Sequence, residues 1–105
     1  MRRVNIPMFQ TTLHIYKNDE RGKFEKKYGV MPDEWYGCQN GDGVFIGENA
    51  GQSMVGTCFH EATHFADWLL EVRLGIEVEG LWGNTELRAY IVQYIGNKIM
   101  EYCCE

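Results

Sequence analysis

Two histidines and a glutamate occur at a spacing that suits metal chemistry. Residues 60–64 have the sequence His60-Glu61-Ala62-Thr63-His64, or HExxH. Residues four apart on a helix lie one turn apart on the same face, so both imidazoles can bind one ion at about 2.0–2.1 Å. Glu61 is rotated by about 100° from His60 and can take a proton from a nearby water without binding the ion. The motif predicts a zinc site with a general base beside it. Two solvated histidines are the alternative, but the flanking residues are mostly apolar and favour the metal site.

A catalytic zinc site needs a third protein ligand. Glu86 lies twenty-two residues after His64, in the first turn of a second predicted helix. Its charge could instead complement the helix dipole, but the metal would then lack a ligand. The only other histidine, His14, lies in a predicted strand and is interpreted as an ordinary strand residue. We expect one Zn²⁺ per chain, bound by His60, His64 and Glu86.

Two helices must position these residues. Apolar side chains recur with a period of about 3.6 from Ser53, a suitable N-cap, to Gly75, a natural stop. A loop at 76–83 follows, and the second helix begins at Asn84 or Thr85. Glycines in this loop allow the second helix to return antiparallel to the first.

The sequence before the motif has the patterns of strands and of a hairpin. Residues 9–17 are rich in Thr, Ile, Tyr and Phe, and residues 23–28 form a second short strand or a helical turn. The sequence Asn-Gly-Asp-Gly at 40–43 predicts a tight turn between two arms, and the arm at 44–47 is short and bounded by glycines, as in an edge strand. The prediction is a single α+β domain over 1–105: a small N-terminal antiparallel sheet or hairpins, the HExxH helix and a C-terminal helix.

The HExxH motif followed by the sequence ELRAY at 86–90 resembles the gluzincin zinc metallopeptidases, whose third ligand is a glutamate on a later helix. Residues 44–99 resemble more closely small HExxH proteins encoded by phages and prophages and described as metallopeptidases. The resemblance implies a minimal zincin-like fold, with the two histidines and Glu86 as ligands and Glu61 as the general base. Larger gluzincins often have an acid four residues after the glutamate ligand, where this chain has Tyr90.

Three residues near these ligands could assist the chemistry. Asp67 could accept a hydrogen bond from a ligand imidazole or be solvated on the helix surface. Tyr90 could donate a hydrogen bond to a developing oxyanion, although Tyr94 continues the same stripe and favours a core aromatic. Arg88 could bind a carboxylate or be solvated.

The leading hypothesis is a zinc metallopeptidase that hydrolyses peptide bonds of a peptide or protein substrate. The strand at 44–47 precedes the motif helix as the substrate-aligning edge strand does in this class of peptidase. The alternative is a zinc-binding regulatory or partner-binding module with little or no turnover, because 105 residues leave few elements for subsites. A third hypothesis, an interaction domain without metal, would use Trp35, Trp68 and Trp82 as anchors.

Composition argues against several other classes. The chain has 15 acidic and 10 basic residues, and seven of the basic residues fall in 1–27, so the remainder is strongly acidic. An acidic surface repels phosphate, which predicts no nucleic-acid partner. No apolar run is long enough for a membrane span and no signal peptide is recognisable. The four cysteines form no CxxC pair and are assigned no role. We expect a cytoplasmic protein with reduced thiols and no membrane association.

Overall fold

A four-stranded sheet in the first half of the chain carries two helices from the second half on one of its faces. The computed structural model describes residues 1–48, 53–75 and 85–104. The strands are β1 (Arg2–Ile6), β2 (Thr11–Tyr16), β3 (Gly37–Asn40) and β4 (Gly43–Ile46), and the helices are α1 (Arg21–Tyr28), α2 (Met54–Trp68) and α3 (Thr85–Cys103). The predicted α+β class is confirmed, and so are the hairpin and the two later helices.

The sheet is mixed, with the strand order β1-β2-β4-β3. β1 pairs antiparallel with β2 and β3 pairs antiparallel with β4, but β2 and β4 run parallel, with Ile15 opposite Val44. The prediction of an antiparallel sheet is therefore wrong at its centre. A parallel pair needs a crossover connection, and α1 lies in that connection. Residues 23–28 accordingly belong to a helix, the second of the two alternatives predicted for them.

β4 is an interior strand, so the prediction of an edge strand at 44–47 is wrong. β2 pairs with one edge of β4 and β3 with the other. All four residues of β4 are buried, because the helices also cover both faces of the sheet at this strand. The edge next to α2 belongs to β3, whose only strand partner within the described residues is β4.

Side-chain alternation along the strands separates two apolar clusters. Leu13 and Ile15 of β2 and Val44 and Ile46 of β4 face α2 and α3 and form the main core with residues of these helices, including Ala62, Phe65, Leu69, Ile91, Ile95 and Ile99. The opposite face carries a smaller cluster of Tyr16, Phe24, Met31 and Phe45 against α1. The sheet therefore lies between α1 and the pair α2–α3.

α2 begins where the sequence predicts, and the π-helical turn that follows it reaches nearly to the predicted stop at Gly75. The side chain of Ser53 caps it by accepting a hydrogen bond from the backbone N–H of Gly56 at 3.1 Å. The helix continues as one π-helical turn over Leu69–Arg73, and Gly75 follows with a φ of 70°, a left-handed conformation that favours glycine. The loop and the Asn84 cap predicted within 76–84 lie outside the described residues.

α3 packs antiparallel against α2. The ring of Phe59 lies directly over Gly96, and Arg88 forms an ion pair with Asp67 at 2.8 Å. Eight residues along α2 thus match eight residues along α3, and this register fixes which residues of α3 lie level with the motif. Within residues 1–48, 53–75 and 85–104, no helix has the length and apolarity needed to cross a bilayer.

Candidate metal centre

The imidazoles of His60 and His64 converge on the exposed side of α2. Their Nε2 atoms lie 3.2 Å apart, and both side chains are exposed. Two nitrogens at about 2.0–2.1 Å from a tetrahedral zinc ion lie about 3.3–3.4 Å from each other. A hydrogen bond between the two rings gives a similar distance, and in either case both nitrogens face a common point. The pair therefore has the spacing of two ligands of one ion.

Glu61 differs from the two histidines because it is buried. Its residue surface is 5% exposed, and it lies on the side of α2 that faces β3. Burial raises the pKa of the Glu61 carboxyl above its ordinary value, and the charges of His60 and His64 partly offset this rise. A carboxylate in this environment holds a proton more readily than a solvated one, which suits a general base.

An open cavity of about 750 Å³ lies in front of the three motif residues. One wall is the face of α2 that carries Thr57, His60, Glu61 and His64, and the other wall is the segment 34–39 that leads into β3. Within this segment the side chains of Trp35 and Tyr36 are 48% and 40% exposed. Sequence analysis named Trp35 only as an anchor of an interaction domain without metal and did not predict that this segment lies opposite the motif.

β3 presents an open edge to this cavity. Gly37 is opposite Ile46 and Gln39 is opposite Val44, and paired residues share a face, so both lie on the α2 side of the sheet. The backbone N–H of Gly47 donates to the carbonyl of Tyr36 at 2.7 Å, which extends the ladder by one residue. Because antiparallel ladders alternate, the N–H and C=O groups of Gly37 and Gln39 then point away from β4, towards the open edge.

Glu86, the predicted third ligand, is exposed on the first turn of α3. In the register set by Phe59 with Gly96 and Asp67 with Arg88, His64 is level with Ile91. Glu86 is five residues beyond Ile91, or about 7.5 Å along the helix axis. No group of three or more His, Cys, Asp or Glu within the described ranges is arranged to hold a metal. Glu86 as a ligand stays a prediction.

The structure does not bring Asp67 or Tyr90 into the site. Both carboxylate oxygens of Asp67 accept hydrogen bonds from Arg88, at 2.8 and 3.2 Å, so the acceptor proposed for a ligand imidazole is bonded elsewhere. Arg88 accordingly has a carboxylate partner within the chain. Tyr90 is 66% exposed and is neither in the core nor among the residues that line the cavity. An oxyanion donor at Tyr90 has no support from this geometry.

His14 lies away from the cavity, and of the four cysteines only Cys38 is among the residues that line it. His14 lies in β2 with its Nδ1 atom 3.4 Å from a carboxylate oxygen of Asp42, in agreement with an ordinary strand histidine. All four cysteines are free. Cys38 borders the cavity, but burial and the nearby charge of Glu61 raise the pKa of its thiol, which disfavours a thiolate nucleophile or ligand.

Two of the three tryptophans considered as anchors lie in described parts of the chain. Trp35 lines the cavity, whereas Trp68 packs against Phe65 and the main core. Trp82 lies outside the described residues.

Comparisons of the chain with models of protein families, with curated proteins and with solved structures find no match. The functional argument therefore rests on the site itself.

Proposed function

We propose that this protein is a zinc-dependent peptidase. In this proposal His60, His64 and Glu86 hold one zinc ion and Glu61 acts as the general base. The observation that carries it is the convergence of the two Nε2 atoms, 3.2 Å apart, next to a buried glutamate and an open cavity. The cytoplasmic location expected from the sequence agrees with the four free thiols.

When bound, zinc lowers the pKa of water to about 7 and polarises a carbonyl group. Glu61 takes a proton from the attacking water, whose oxygen bonds to the carbonyl carbon of the peptide. The same carboxyl group then gives the proton to the leaving nitrogen as the C–N bond breaks, which yields a carboxylic acid and an amine. Because burial raises the pKa of Glu61, its carboxylate accepts the proton of the attacking water more readily than a solvated glutamate does.

The open edge of β3 supports an extended peptide as the substrate. A peptide strand can add to a free edge through main-chain hydrogen bonds, and the groups of Gly37 and Gln39 are available for this. Substrate alignment, which the sequence assigned to residues 44–47, is thus proposed for 37–40. The gluzincin class, a zincin-like arrangement and a relation to phage-encoded peptidases are proposals that rest on the resemblance in residues 44–99.

A zinc-binding module with little turnover is the second candidate. It is favoured by the position of Glu86, which is offset from the histidines along α3. Two histidines without a third protein ligand could hold zinc jointly with a partner protein. Turnover separates the two candidates.

The experiment compares wild type with Glu61→Gln on a broad peptide library and on an unfolded protein. We expect hydrolysis by the wild type that a chelator abolishes. Glu61→Gln should keep its zinc content, because the side chain does not bind the ion, but should lose at least about a hundredfold in rate, since general acid–base groups contribute 10²–10⁴-fold. Hydrolysis by Glu61→Gln at the wild-type rate would contradict the assigned base, and no hydrolysis by zinc-loaded wild type would favour the binding module.

A further inference from the structure

The backbone of β3 makes an unusually close approach to the side chain of Glu61. A Cβ atom built at Gly37 would lie 2.7 Å from Oε2 and 3.1 Å from Cγ of Glu61, and 3.0 Å from the methyl carbon of Thr57. Gly37 has ordinary strand backbone and is not one of the glycines with a positive φ. A Cβ atom at this position would therefore require Glu61, Thr57 or the strand to shift, and the constraint on residue 37 is one of space rather than of conformational freedom.

Because glycine has no side chain, the face of β3 that packs towards α2 has a small gap at Gly37, which we call the notch. Gly37 shares this face with Ile46, its partner on β4, and the Glu61 carboxylate occupies the notch between strand and helix. Within residues 1–48, 53–75 and 85–104 no group donates a hydrogen bond to this carboxylate, which packs against the backbone of β3. The cavity, His60 and His64 lie immediately beside it.

We infer that Gly37 is a positioning residue for Glu61, because the notch at Gly37 holds the carboxylate against β3 beside the two histidines. The contact itself is independent of any activity, whereas its effect on hydrolysis rests on the proposed function. Any larger residue at position 37 moves either the strand, on which we propose the substrate aligns, or the carboxylate that we propose as the base. A misplacement of about 1 Å at a reacting group can cost about a hundredfold in rate.

A double-mutant cycle on the metal-free protein tests the contact without any assay of activity. Gly37→Ala should lower the midpoint of urea unfolding, and this loss should largely disappear in the Glu61→Ala background, where Oε2 and Cγ are absent. Gln39→Ala, on the same face of β3, is the matched control and should show no coupling to Glu61. If Gly37→Ala does not fold, recovery of folding in Gly37→Ala/Glu61→Ala is the expected result.

Two outcomes of this cycle would overturn the inference. One is an equal loss in both backgrounds, including failure of both variants to fold. The other is a loss that disappears with Thr57→Ala but not with Glu61→Ala, since Thr57 would then be the residue that requires glycine.

Kinetics then test the positioning role. Zinc-loaded Gly37→Ala should keep its zinc and its KM but lose about tenfold or more in kcat, and in the Glu61→Gln background the same substitution should cause little further loss. An unchanged kcat, or equal losses in both backgrounds, would contradict positioning through Glu61. If the wild type has no turnover, the proposed function fails while the unfolding cycle still decides whether Gly37 positions Glu61.

Discussion

His60 and His64 differ from the third histidine of the chain in their surroundings. Both are exposed on α2 and have Nε2 atoms 3.2 Å apart, whereas His14 is half-buried in β2 beside Asp42. A zinc site built on two imidazoles can therefore form only on α2.

Alanine substitutions of the three histidines should separate ligands from bystanders. His60→Ala and His64→Ala should each abolish stoichiometric zinc binding, because each removes one of two nitrogen ligands, whereas His14→Ala should bind zinc as the wild type does. Equilibrium dialysis followed by elemental analysis measures the zinc retained. A full complement of zinc in His60→Ala or His64→Ala would contradict the assignment.

Much of the motif's geometry could be predicted from the sequence, because helix periodicity is local. The spacing of HExxH places both imidazoles on one face, and Ser53 caps the helix as expected. The burial of Glu61 could not be predicted, because it depends on β3, which reaches α2 only through tertiary packing. The same reason hid the role of Gly37.

At the level of elements, the start of α3 decides whether the site has a third protein ligand. Glu86→Gln keeps the shape of the side chain but removes the charge that helps to hold a dication. Zinc affinity should fall at least about tenfold, because mutation of a residue that only hydrogen-bonds to a metal ligand already lowers metal affinity or activity by 10–100-fold. Competition with a chromogenic chelator measures this change.

Glu34→Gln is the matched control, since Glu34 is a carboxylate on the opposite wall of the cavity. We expect its zinc affinity to equal that of the wild type. Unchanged affinity in Glu86→Gln would remove Glu86 from the ligand set, and a fall in Glu34→Gln alone would move the third ligand to the other wall.

The packing of α2 on α3 depends on Gly96. A Cβ atom at this position would lie 2.3 Å from the ring of Phe59. Gly96→Ala should lower the free energy of unfolding by up to about 2 kcal/mol, because overpacking costs about 1–3 kcal/mol and a gain of up to about 1 kcal/mol in helix propensity offsets part of this cost. Urea unfolding measures the loss.

Gly22→Ala in α1 is the control for this substitution, because nothing lies within 4 Å of its Cβ position. It should leave stability unchanged or raise it slightly. A Gly96→Ala protein as stable as the wild type would contradict the tight contact between Phe59 and Gly96.

Sequence patterns predicted which segments form strands and helices better than they predicted how the strands pair. The hairpin of β3 and β4 follows from its turn residues, which are local. The parallel pairing of β2 with β4 joins segments almost thirty residues apart, and no local pattern specifies it. Because that pairing makes β4 an interior strand, the edge beside the motif was assigned to 44–47 instead of 37–40.

At the scale of the whole molecule, a buried core holds the sheet against α2 and α3, and a cavity opens between α2 and β3. The sheet lies between α1 and the pair α2–α3, so the exposed face of α2 and the free edge of β3 remain to border the cavity. A metal held by α2 and α3 would bind the native state only and would stabilise it. The zinc ligands should therefore affect the stability of the fold as well as the proposed hydrolysis.

X-ray absorption at the zinc edge tests the central claim most directly, on protein loaded with one equivalent of zinc. We expect a first shell of nitrogen and oxygen donors at about 2.0–2.1 Å, with the scattering pattern of two imidazoles and no sulfur at about 2.3 Å. A sulfur shell from any of the four cysteines, or fewer than two imidazoles, would contradict a zinc site on the HExxH helix.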